Sequence, residues 1–238
     1  MPAAVPPAVE AWHARGLGVA AAAAPRAAVE AWVTAEPRNP EALSLLAEAH
    51  YWTGLQLADE RAPEAQARAA YGRGMDAARR AQAAAPQHPG GWFWETVNLA
   101  KQAEIDGIIR SASLLPTLRR LMDRAGALSP CYFHGGVNRF WAAVVIRTPE
   151  FLVRLQGRSS SKDGEEQLRT ADRCAPDFLG NARFRAELRV KEDRKADALA
   201  LLRAALARPP SADPAVEAWN RHERVLTRQM LARLGARE

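Results

Sequence analysis

Residues 116 to 145, PTLRRLMDRAGALSPCYFHGGVNRFWAAVV, decide the fold: they read as a helix, a proline turn and a second helix folded back on the first. Leu118, Met122 and Ala125 fall on one face before Pro130, and Phe133, Val137, Phe140 and Val144 fall on one face after it. Both stripes keep the spacing that gives a helix a single side to bury. Proline is tolerated at a helix start, where its missing N–H has no partner to lose, and it pushes the preceding residue out of helix. Neither helix can hide its stripe alone, whereas stacked hairpins can.

The same unit recurs on both sides of this stretch. Residues 9 to 42 place Trp12, Gly16, Ala28, Trp32, Ala35 and Pro40 at the large, small and proline positions of a 34-residue tetratricopeptide-like repeat, with Arg15 where leucine is expected. Hairpins follow at about 8–40, 41–89, 90–130, 131–176 and 177–210, punctuated by prolines at 40, 89, 130, 176 and 210, and a capping helix at 213–234. In the second hairpin ADERAPEAQ, residues 58 to 66, reads as an intervening insertion, and Gly107 to Ser113 as the loop of the third. GRSSSKDG, residues 157 to 164, reads as a flexible, cleavable loop. The expectation is one all-α domain over 1–238, a superhelix of about five hairpins and a cap.

Composition agrees with that reading. The chain is 48% hydrophobic, mostly through alanine, the best helix former, and no stretch alternates as a strand does. Of the 33 basic residues all but Lys101, Lys162, Lys191 and Lys195 are arginine, scattered among acids along every helix, so the net charge of +6 reads as a solvated surface and not as a nucleic-acid stripe. No apolar run reaches the roughly 18 residues of a membrane span. Residues 1 to 24 lack the charged start of a signal peptide, which leaves a cytoplasmic location or a periplasmic one with its leader removed. Cys131 and Cys174 are too few for a disulfide framework or a zinc site; they read as buried small side chains, with one bridge left open.

No catalytic constellation, metal set or cofactor motif is present: the five histidines are never at ligand spacing, and no HExxH or phosphate-binding loop occurs. Binding is the better-supported expectation. In the repeat frame the concave face takes Trp94, Asn98 and Lys101 from the third hairpin and His134, Asn138 and Trp141 from the fourth, joined by Glu48, Tyr51 and Trp52 from the second. Aromatic faces with Asn, His and Lys beside them suit a peptide or a small amphiphilic or carboxylate ligand. The competing reading makes the same aromatics core. Gly135 and Gly136 allow either close helix packing or room beside His134, and Arg183, Glu187 and Lys191 read as a solvated face.

Several stretches resemble the T-component of tripartite ATP-independent periplasmic (TRAP) transporters. These are DERAPEAQARAAYGRGMDAARRA at 59–81, WFWETVNLAK at 92–101, LPTLRRLMDRAGALSPCYFHGG at 115–136, and TPEF with GEEQLRTADRCAP within 148–176. ADALALLRAAL and the last arginine-rich helix extend the likeness. The resemblance implies a periplasmic, non-catalytic accessory protein whose partner is the transporter's substrate-binding subunit. Family members are usually lipoproteins, and no leader or lipid-bearing cysteine stands near this start. The alternative is a cytoplasmic repeat scaffold recognising a peptide or partner protein. Self-association is open in either case.

Overall fold

The computed structural model describes residues 5–147 and 161–235. Among these the chain is helical, with eleven helices and no strand. They are α1 (Pro7–His13), α2 (Ala23–Ala35), α3 (Pro40–Asp59), α4 (Glu64–Ala84), α5 (Pro89–Asp106), α6 (Ile108–Leu128), α7 (Tyr132–Arg147), α8 (Ser161–Cys174), α9 (Leu179–Lys191), α10 (Lys195–Leu206) and α11 (Pro214–Arg233). The sequence reads as one repeat domain; the chain gathers into two compact units, Met1–Tyr132 and Phe133–Glu238. Residues 148–160, which hold the first half of the loop expected at 157–164, lie outside the described residues, and 161–164 form the first turn of α8.

In the first unit consecutive helices pack as antiparallel neighbours from α1 to α6, and α3 also packs on α5, so first helices of successive hairpins touch. Prolines mark the entries. Pro40 and Pro89 stand at the first positions of α3 and α5, where Asn39 and His88 cap the free N–H groups: Asn39 Oδ1 accepts from the amides of Glu41 (2.9 Å) and Ala42 (3.1 Å), and His88 Nδ1 accepts from Gly90 (3.2 Å).

The insertion expected around 58–66 does lengthen the second hairpin. It lengthens α3 to 20 and α4 to 21 residues, joined by a short turn in which Arg61 takes φ 56° and the Ala62 amide returns to the Leu57 carbonyl at 2.9 Å. The long helices interlock where Gly54 admits Tyr71: a Cβ on Gly54 would lie 2.3 Å from the ring. Gly107 to Ser113, expected as a loop, is not one. Gly107 alone, at φ 94°, breaks α5 from α6.

The first repeat is less regular than its pattern suggests, because α1 stops at His13. Arg15 replaces the expected leucine, and its guanidinium turns back to donate to the Trp12 carbonyl at 2.9 Å. The following loop is pinned to α3, with the Gly18 amide on Gln56 Oε1 (2.5 Å) and the Val19 amide on Glu60 Oε1 (2.8 Å).

In the second unit α9 packs against α8, α10 and α11. Ala186, Leu202, Ala198, Met230 and Leu231 form one buried cluster, and Ala142, Leu168 and Leu188 another. Leu118, Met122 and Ala125 of α6 are buried as their spacing requires. Of the stripe predicted after Pro130, Val137 is buried while Phe133, Phe140 and Val144 are half-buried, and Trp141 and Val145, one position on, are buried beside Val137. A left-handed turn at Phe133 (φ 51°, ψ 57°), His134 (φ 56°, ψ 40°) and Gly135 (φ 76°, ψ 23°) precedes the right-handed part of α7 and takes Phe133 out of phase with the residues after it.

Candidate binding faces

In the first unit α3 and α5 carry the side chains expected on the concave face, and most of them are buried in its core. Trp52 is 0% exposed and Trp94 is 1% exposed. Trp52 lies under the guanidinium of Arg15, which is sandwiched between the rings of Trp12 and Trp52 at 4.2 Å from each centroid. Glu48, also buried, accepts from Trp12 Nε1 at 2.9 Å and lies 3.7 Å from Arg15 Nη2. Arg15, the main departure of the first repeat from its pattern, is therefore the centre of a buried cation, carboxylate and indole cluster.

Trp94 packs edge-on to Phe93 at 5.0 Å and against Tyr51 at 5.6 Å. Asn98 is fully buried; its amide donates to the Trp94 carbonyl at 2.8 Å, and it fits only because residue 74 is glycine, whose Cβ would lie 2.3 Å from Asn98 Oδ1. Two of the expected residues keep partly open side chains. Tyr51 is half-buried with its ring on Trp94 and Tyr71, and Lys101 is half-buried with Nζ 2.7 Å from Glu104.

Burial sets the protonation states here. It pushes the Tyr71 and Tyr132 hydroxyls far above the usual tyrosine value, so both stay neutral. It also lowers the His88 ring, keeping Nδ1 free to accept as a cap. His50, inward on α3, is lowered to about 4 by burial first and then by the charges of Arg73 and Arg26.

In the second unit His134 and Asn138 are half-buried and Trp141 is buried. His134 stacks on Phe178 with centroids 5.6 Å apart and planes 18° from parallel, and Phe133 meets Trp219 edge-on at 5.2 Å. Gly135 rests against α8, where a Cβ would lie 2.7 Å from Ala171 Cα, so here the packing reading of that glycine holds.

Arg183 is not on a solvated face. It is buried in a two-pronged pair with Glu223, Nε to Oε2 at 2.5 Å and Nη2 to Oε1 at 3.1 Å, and it also donates to Glu187. Burial works against the charge of Glu223, but Arg183, His222 and Arg139 outweigh it and hold the carboxyl below its usual value. Asn220 completes the buried polar row by accepting from the Leu179 amide at 2.8 Å. Sequence reasoning passed over Arg139 and Glu223 and read Arg183 as solvated, since no periodic signal separates a buried arginine from the many exposed ones.

The cysteines also differ from expectation. Cys131 is exposed and Cys174 half-buried, and neither is a free thiol: both are disulfide-bonded. Among the described residues no three His, Cys, Asp or Glu side chains are grouped to hold a metal, and no helix is long and apolar enough to cross a membrane. A shallow surface cleft lies at the α2–α3 turn, lined by Glu36, Pro37, Arg38, Asn39, Pro40 and Glu41, away from the expected site residues.

No protein-family model and no curated protein sequence matches the chain. Among solved structures it is similar to a thermophilic tetratricopeptide-repeat protein of Thermus thermophilus, with a TM-score of 0.55 and 19% identity over 87% of this chain and 92% of that one. At that identity the likeness speaks for the fold, a tetratricopeptide-like helical repeat.

Proposed function

We propose that the chain is a non-catalytic helical-repeat adaptor that binds a partner protein, and that its partner is the substrate-binding subunit of a TRAP-type transporter. The observation that carries the binding reading is the division of labour on the first helices. Trp52, Trp94 and Asn98 are sealed into the frame, while Tyr51 and Lys101 in the first unit, and His134 and Asn138 in the second, keep partly open polar and aromatic side chains. Rigid aromatic contact beside hydrogen-bonding groups is what a protein surface or a carboxylate ligand needs. The Lys101–Glu104 pair is partly exposed and weak, so a ligand carboxylate can replace Glu104 at little cost.

The cysteines support a periplasmic location over the cytoplasmic alternative, because disulfides persist in oxidising compartments and are rare in a reducing cytosol. Alkylation of the protein taken from its source cells, followed by intact mass measurement, tests this: two blocked thiols before reduction would point to the cytoplasm.

The partner is tested by titrating the purified chain with the purified substrate-binding subunit in a calorimeter. Binding that Tyr51→Ala or Asn138→Ala weakens supports the proposal, and no heat at high concentration overturns the transporter reading. Native mass spectrometry of the same protein asks separately whether a small carboxylate travels with it.

A further inference from the structure

The segment that opens the second unit carries a conflict between local and tertiary preference. Local sequence favours a right-handed helix through Tyr132, Phe133 and His134, yet Phe133 and His134 hold left-handed backbone ahead of Gly135. A bulky aromatic residue in that region is a real outlier, since its Cβ crowds the following carbonyl. Such conformations persist only where surrounding contacts over-determine them.

The contacts here are specific. Arg139, one turn into α7, donates from Nη2 to the Phe133 carbonyl at 3.0 Å and from Nη1 to the His134 carbonyl, while Nη1 also reaches Asn181 Oδ1 at 3.2 Å. Its guanidinium lies 4.2 Å from the Phe178 ring, the same ring on which His134 stacks. Phe133 is held by Trp219, and Gly135 fits flush on α8.

Reversing the signs of φ and ψ at 133 and 134 swings both carbonyls away from Arg139 and lifts both rings from Phe178 and Trp219. That is the signature of a discrete two-state element.

We infer that residues 133–135 are a conformational switch latched by Arg139: a left-handed turn in the described state, and a right-handed extension of α7 when the latch opens. In the open state Phe178 and Trp219, now 2% and 5% exposed, lose the rings that cover them. The switch thus controls whether an aromatic surface of the second unit is covered or bare.

The test is NMR of the full chain, using amide–Hα couplings and intraresidue NOEs that separate positive from negative φ, with relaxation dispersion over residues 132–139. His134→Gly removes the Cβ crowding and should favour the left-handed state by about five- to thirty-fold, quenching the exchange even though it gives up the stack on Phe178. Arg139→Met should turn φ negative at residues 133 and 134 while the hydrophobic cluster of α9, α10 and α11 stays folded. Positive φ retained in Arg139→Met overturns the latch. Should that variant fail to fold, His134→Gly and Phe133→Gly decide alone: dispersion absent from the parent protein, or unchanged in both variants, overturns the switch.

Discussion

The buried His50 ring makes stability depend on pH in a defined window. Its folded pKa is about 4 against an ordinary 6.5, so between these values the unfolded chain binds a proton that the folded chain refuses. The contribution is complete above the unfolded pKa and is lost as pH falls through the folded one. Its full size is about 3–4 kcal/mol, from the gap between about 4 and 6.5 at about 1.4 kcal/mol per pH unit. At about pH 5 the unfolded ring is protonated over neutral by roughly thirty to one while the folded ring stays mostly neutral, so roughly 2 kcal/mol is already gone. The charges of Arg73 and Arg26 add to the effect.

The assay is urea unfolding of the parent protein and of His50→Gln at about pH 7.5 and about pH 5. Other titrating groups, including the cap His88, are common to both proteins and cancel. The parent should lose roughly 2 kcal/mol more than the variant over that interval. An equal loss in the two proteins refutes the reasoning, as does an NMR titration showing the His50 ring protonated at about pH 6.

Three further outcomes follow from packing. Glu223→Gln removes one half of a buried pair and should cost about 3–5 kcal/mol in urea unfolding, most of it recovered by adding Arg183→Met; equal losses in the single and double variants refute the pairing. Arg15→Leu restores the repeat consensus yet should destabilise by about 2 kcal/mol, because two desolvated ring contacts and the neighbour of Glu48 are lost; thermal unfolding at or above the parent temperature would show the cluster to be idle. Gly74→Ala should cost about 1–3 kcal/mol through collision with Asn98, and pairing it with Asn98→Ala should cost less than the two separate changes added together, which a double-mutant cycle measures.

Much of the fold was legible because helix identity is a local matter. The face carrying Leu118, Met122 and Ala125 and the prolines at 40 and 89 are one-dimensional signals, and each maps to a buried stripe or a helix start. The candidate site was legible only as a set of residues. Repeat position says which way a Cα faces, but not whether a neighbour 40 or 50 residues away covers the side chain. Thus Tyr51 and Lys101 remain partly open, whereas Trp52, Trp94, Asn98 and Trp141 occupy the same kind of position and are sealed. Arg15 was visible as a departure from pattern, but its meaning needed Trp52 from another helix.

The sequence by itself determined that this chain is a stack of helical hairpins, because apolar spacing, alanine propensity and proline placement act over a few residues and agree with one another. Only the tertiary structure decided the hand of the turn at Phe133–Gly135 and the burial of Arg15, Arg139 and Arg183. Those outcomes rest on partners distant in the chain, such as Glu223 for Arg183 across 40 residues, whose contacts outweigh what the local backbone or an isolated charge would choose.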